Sequence, residues 1–118
     1  MIYIMIPRWS FNNDTLFDLV VAQRKHGTCS LYTGNDDLAH VGDVNIIYNS
    51  KNQEIKIKIT NVRLCRFCDV DAKWAEIEGE GDLSLDYWRR VHQEFFTQGN
   101  PNFNPTDMLE LDEFILVN

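Results

Sequence analysis

Residues 54–67, EIKIKITNVRLCRF, alternate strictly at first, with Ile55, Ile57 and Ile59 on one side of a strand and charged or polar neighbours on the other. The phase slips at Thr60-Asn61 and resumes at Val62 and Leu64, as one long strand with a bulge, or two strands, would require. Just upstream, HVGDVNIIYN sets a Gly-Asp turn before a β-branched run at 44–48, and SKNQ joins the two as a polar turn. IYIMIP at 2–7 reads as a strand ended by Pro7, and ELDEFILVN closes the chain as another.

Helical spacing appears in three places. In NNDTLFDLVVAQRK, Asn13 or Asp14 can cap a helix whose Leu16, Leu19, Val20 and Gln23 share one face. Asp69 or Asp71 can start a short helix over 71–77 that the glycines of EGEG stop. Ser84 caps a longer one, LDYWRRVHQEFF, with Leu85, Trp88, His92 and Phe95 as its apolar stripe. Segment 98–107, rich in Asn, Pro and Gly, is a loop. Short strands with three inserted helices predict a single α+β domain over 1–118, built on a small, strongly curved sheet or barrel.

Composition narrows the partners. The chain has 118 residues, 44% of them hydrophobic, enough for a compact core. No run approaches the length needed to span a bilayer, and MIYIMIPRW lacks the features of a signal peptide, so a cytoplasmic location and no membrane partner are expected. Cys29, Cys65 and Cys68 cannot all pair, and C-x-x-C at 65–68 has no second pair or His pair to complete a zinc site; no metal or cofactor is expected. A net charge of −7 argues against duplex DNA or long nucleic acid. Residues 51–70 nonetheless carry a local +3, which suits a nucleoside or a short single strand.

The stretch RKHGTCS, 24–30, places Lys25 and Thr28 three apart across a glycine, where an amine and a hydroxyl could converge. A hydroxyl becomes a nucleophile when a neighbouring base removes its proton, and burial can lower a lysine's pKa enough for that task. The plainer alternative is a lysine at a helix C-terminus and a threonine in a turn. IEGEGD, 77–82, lacks the spacing of a calcium loop; its glycines suit a tight turn, with Glu80 and Asp82 serving that turn and the next helix start.

Taken together, LFDLVVAQRKHGTCS, HVGDVNIIYN, VRLCRFCDVDAKWAEIEGEGDLSLDYWRRVHQEFF and ELDEFILVN resemble the ASCH domain family, whose fold is similar to the PUA domains of RNA-modification proteins. The resemblance implies a PUA-like small β-barrel or strongly curved sheet with about three packed helices, and a cleft where the lysine motif meets the acidic block. In the branch that hydrolyses acetylcytidine, a lysine, a threonine and a glutamate are held to be catalytic; they fall on Lys25, Thr28 and Glu78. Gln23 replaces a glycine of the motif and His26 its first threonine. The implied activity is an amidohydrolase acting on N(4)-acylated cytidine-type nucleosides. The alternatives are a ribonuclease acting on short single-stranded RNA and a non-catalytic RNA or nucleoside binding module. Arg24, His26, Ser30, Trp9 and Tyr32 are the expected substrate contacts. Trp88 is expected in the core and His92 half-buried and hydrogen-bonded.

Overall fold

The computed structural model describes residues 5–35 and 37–117; of the strand expected at 2–7, residues 2–4 lie outside the described residues and 5–7 are not strand. The first strand seen is β1 (Arg8–Trp9), just after Pro7. Helix α1 (Asp14–Val21) follows, then β2 (Gly27–Leu31), β3 (Val44–Tyr48), β4 (Glu54–Arg66), a 3-10 turn at Phe67–Asp69, α2 (Ala72–Glu78), α3 (Leu85–Gly99) and β5 (Met108–Val117). The strands form one mixed, curved sheet in the order β1-β3-β4-β5-β2, with β1 parallel to β3 and the other pairs antiparallel.

The alternation around the phase slip organises the interior. β4 is one strand of 13 residues, with a register shift between Ile59 and Asn61 against β5. Ile57, Ile59 and Val62 pack on one side with Phe17, Val20, Ile47 and Phe114, under α1. Past the slip, Cys65 packs instead with the cluster of Trp74, Trp88, Phe96, Leu109 and Leu111, under α2 and α3. Leu64, expected inside, shares the face of Val62 but lies beyond that cluster, opposite Glu110, and is 39% exposed. β5 shows the same division: Leu109 and Leu111 face one cluster, Phe114 and Leu116 the other. The sheet therefore has apolar layers on both faces.

Caps set the helix limits. Asn13 accepts hydrogen bonds from the N–H groups of Thr15 and Leu16 and starts α1. That helix ends four residues before Lys25; Phe17 and Val20 are its buried face, and Gln23, expected on that face, is exposed beyond the helix at φ +58°. Asp71 caps α2, and Gly79 ends it in the left-handed region at φ +72°. Ser84 caps α3, whose buried residues are Trp88, His92 and Phe96. Phe95, expected in the stripe, is 64% exposed. No helix among the described residues is long and apolar enough to cross a membrane.

Candidate active site

The turn after α1 carries Lys25 into the interior. The N–H groups of Arg24 and Lys25 both donate to the Leu19 carbonyl, His26 N–H donates to the Ile77 carbonyl at 2.7 Å, and Phe114 N–H donates to the His26 carbonyl at 2.9 Å. The chain at Lys25 is thus pinned between the end of α2 and β5. The Lys25 side chain is 1% exposed, and its Nζ donates to Glu78 Oε1 at 3.1 Å, to Glu80 Oε2 at 2.9 Å and to the Glu78 carbonyl at 3.4 Å. All three N–H donors of an ammonium are therefore engaged.

Glu78 ends α2 as a buried carboxylate that accepts three hydrogen bonds, one from Lys25 on Oε1 and two on Oε2. Its Oε2 accepts the indole N–H of Trp74, one turn earlier at 2.8 Å, and that of Trp88 from α3. His92 Nε2 stands 3.6 Å from the same oxygen. His92 stacks on Trp88 with centroids 4.4 Å apart, and its Nδ1 lies 2.8 Å from the Trp88 carbonyl, which can only accept. Nδ1 therefore carries a proton, and Nε2 faces a carboxylate.

The charges follow from this packing. Burial alone would raise the Glu78 pKa, but the Lys25 ammonium, His92 and the indole N–H groups outweigh it and hold the carboxyl far below the usual range. Burial alone would lower Lys25, but Glu78 and Glu80 outweigh it and keep the ammonium protonated above its ordinary value. His92 is likewise lowered by burial and raised further by Glu78, for a net rise. Burial and then Glu78 push the Cys29 thiol well above its ordinary value.

A cleft of about 550 Å³ opens over these groups. Lys25, Thr28, Cys29, Glu78, Glu80 and His92 form its polar part, with Trp9, Phe11 and Phe95 among its aromatic lining. Phe11 sits 5.5 Å from Lys25 Nζ, and Trp9 meets Phe11 edge to face at 5.0 Å. The structure thus brings together Lys25, Thr28 and Glu78, with Trp9 beside them. Arg24, His26 and Ser30 are exposed and lie outside the lining, as does the half-buried Tyr32. Ser30 shares the face of Thr28 on β2, a strand unexpected in the sequence, but lies further along it, past the end of the lining, and Arg24 is exposed in the turn after Gln23.

Sequence reasoning missed Glu80 as a partner of Lys25, assigning it to the turn, and missed Cys29 and Trp74. Trp74 and Glu78 at i and i+4 of one helix were a readable signal. Cys29, Glu78 and His92 bring their ligand atoms within 4.8 Å of one another, a metal-like spacing. The donor set fits a metal ion poorly, since the Glu78 oxygen facing His92 already accepts two indole N–H bonds and the thiol is held protonated.

A mixed curved sheet with a lysine–carboxylate cleft at one edge defines a PUA-like α+β protein. The sequence profile of the ASCH domain matches residues 7–118, and the chain belongs to the ASCH domain family. An ASCH domain from Lactobacillus crispatus JV V101 superposes with a TM-score of 0.84 at 25% identity, over 93% of this chain and 79% of that one. A protein from Enterococcus faecalis V583 gives 0.81 at 27% identity, over 98% and 82%. A protein from Pyrococcus furiosus shares the fold at 0.58 and 15% identity, over 97% and 99%. No curated protein matches the chain.

Proposed function

We propose that the chain hydrolyses the amide of an N(4)-acylated cytidine-type nucleoside in this cleft. The observation that carries the reading is a buried ammonium bound to two carboxylates beside a threonine hydroxyl, all lining one aromatic-rimmed cleft. The cleft's volume lies in the range of small-molecule sites, about 300–1,000 Å³. Flat aromatic rings suit a base, and PUA-like folds are associated with RNA-type ligands.

The charges assign the roles differently from the simplest expectation. Lys25, held as an ammonium, acts as the acid and electrostatic clamp rather than as the base for Thr28. Glu78, saturated and ionised, positions that ammonium. Glu80, whose side chain is 12% exposed, offers a carboxylate to the cleft for an amide N–H. Thr28 Oγ attacks the acyl carbon, and Lys25 protonates the departing exocyclic nitrogen. The long 3.4 Å contact to the Glu78 carbonyl is the one that nitrogen replaces.

Purified protein incubated with a panel of N(4)-acylated cytidines should release cytidine, and Thr28→Ala should reduce release by about 100-fold or more while preserving the fold. Absence of turnover across the panel removes the reading. Ribonuclease chemistry draws less support, because the basic side chains lining the cleft, Lys25 and His92, are both already turned to Glu78.

A further inference from the structure

The acyl-transfer reading assigns a nucleophile and an acid but no base: Lys25 is an ammonium, Glu78 is buried against Lys25 and two indole N–H groups, and Glu80 is given to Lys25 and the amide N–H. A carboxyl outside the cleft lining meets that need. β2 and β5 pair with Thr28 directly opposite Asp112, which places both side chains on one face of the sheet with Cβ atoms about 5 Å apart. Glu110, two residues along β5, shares that face and stands opposite Ser30.

Two unpartnered groups share that face, with no hydrogen bond between them in this structure. Thr28 forms no side-chain hydrogen bond with a described residue, and Asp112 Oδ1 is buried without a partner. Buried polar atoms are almost always paired, so an orphan oxygen opposite an orphan hydroxyl calls for a use. On the other side, β4 sets Val62 against Asp112 and Leu64 against Glu110, neither of them charged. Glu110 itself is 9% exposed and accepts the Ala39 N–H at 3.3 Å.

We propose that Asp112 is the general base that takes the proton of Thr28, and that Glu110 behind it tunes its strength; this rests on the acyl-transfer reading of the cleft. Burial, then hydrogen bonding to Glu110 and its charge, pushes the Asp112 carboxyl up to about 8. Among the described residues Glu110 is the charged group that bears on it, with Thr28 and Val62 facing it from the neighbouring strands. A base whose pKa lies near the working pH accepts a proton far better than an ordinary carboxylate at about 4.

The chemistry balances over two steps. Asp112 takes the Thr28 proton as Oγ bonds the acyl carbon, and the C–N bond breaks as Lys25 gives a proton to the nitrogen. Water then attacks the threonine ester, neutral Lys25 takes its proton, the C–Oγ bond breaks, and Asp112 returns its proton to Thr28. One water is consumed and both groups are restored.

The test uses p-nitrophenyl acetate as a minimal acyl donor, with acetylation of Thr28 read by mass spectrometry across pH. Wild type should acetylate Thr28 with a basic limb near pH 8. Asp112→Asn should slow that reaction about 100-fold with the fold retained by circular dichroism. Glu110→Gln should move the limb to lower pH, which a merely structural role would not do. Wild-type rates in Asp112→Asn, an unmoved limb in Glu110→Gln, or no label on Thr28 would overturn the proposal. Labelled Thr28 in a protein that releases no cytidine from acylated cytidines would remove the substrate reading alone and leave Asp112 as the base.

Discussion

At the scale of single residues, the interior holds an ion pair that few small domains would tolerate. A buried pair stabilises only when every remaining donor and acceptor is met, and here the two indoles, His92 and Glu80 meet them. Removing one partner strands the other, so Lys25→Ala should cost about 3–5 kcal/mol at pH 7, read by urea denaturation. The pH dependence has a definite sign. Glu78 has a folded-state pKa below its usual 4.5, so its contribution is present above that value and is lost as pH falls beneath it. The melting temperature of wild type should therefore drop steeply below about pH 4.5, and less steeply in Glu78→Gln. Asp112 behaves oppositely. Its pKa rises on folding from 3.8 to about 8, so the folded chain holds a proton that the unfolded chain has lost, and stability declines as pH climbs through that window. Asp112→Asn should raise the melting temperature at pH 8 and leave it nearly unchanged at pH 3.5, the gain in stability accompanying a loss of function.

At the scale of elements, the site depends on two turns. One is the exit of α1, where Gln23 at φ +58° swings Lys25 inward. The other is Gly79, where a Cβ would lie 2.0 Å from the Arg24 carbonyl oxygen in a backbone region that L side chains rarely adopt. Gly79→Ala should destabilise by more than about 2 kcal/mol and separate the acidic block from Lys25. A lower urea midpoint together with a loss of the steep acid transition would show both effects. The Asp71 and Ser84 caps, the phase slip in β4 and the β3 run were legible because each is a local pattern. β2 was not. GTCSL has little β-branched or aromatic character, and it becomes a strand because Gly27 to Leu31 pair with the edge of β5. Phe95 and Phe96 are adjacent in sequence, yet one faces solvent at the cleft mouth and the other is core, which only the packing of α3 decides.

At the scale of the whole molecule, a net charge of −7 surrounds a cleft whose basic side chains are internally paired. Affinity for long nucleic acid comes from neutralised phosphates, and this surface has few to offer. Filter binding at physiological salt should retain neither duplex DNA nor long RNA, and retention of either would argue for a strand rather than a nucleoside as ligand. By itself, the sequence determined the α+β class and the family, and through the family motifs it pointed to Lys25, Thr28 and Glu78 as candidates, because periodicity, caps and motif order are written along the chain. Only the tertiary structure decided which carboxylates touch Lys25, that the lysine is held as an ammonium, and that Asp112 stands opposite Thr28. Those facts rest on contacts between residues far apart in the chain and on burial, and burial sets the charge of a group only once the chain has closed around it.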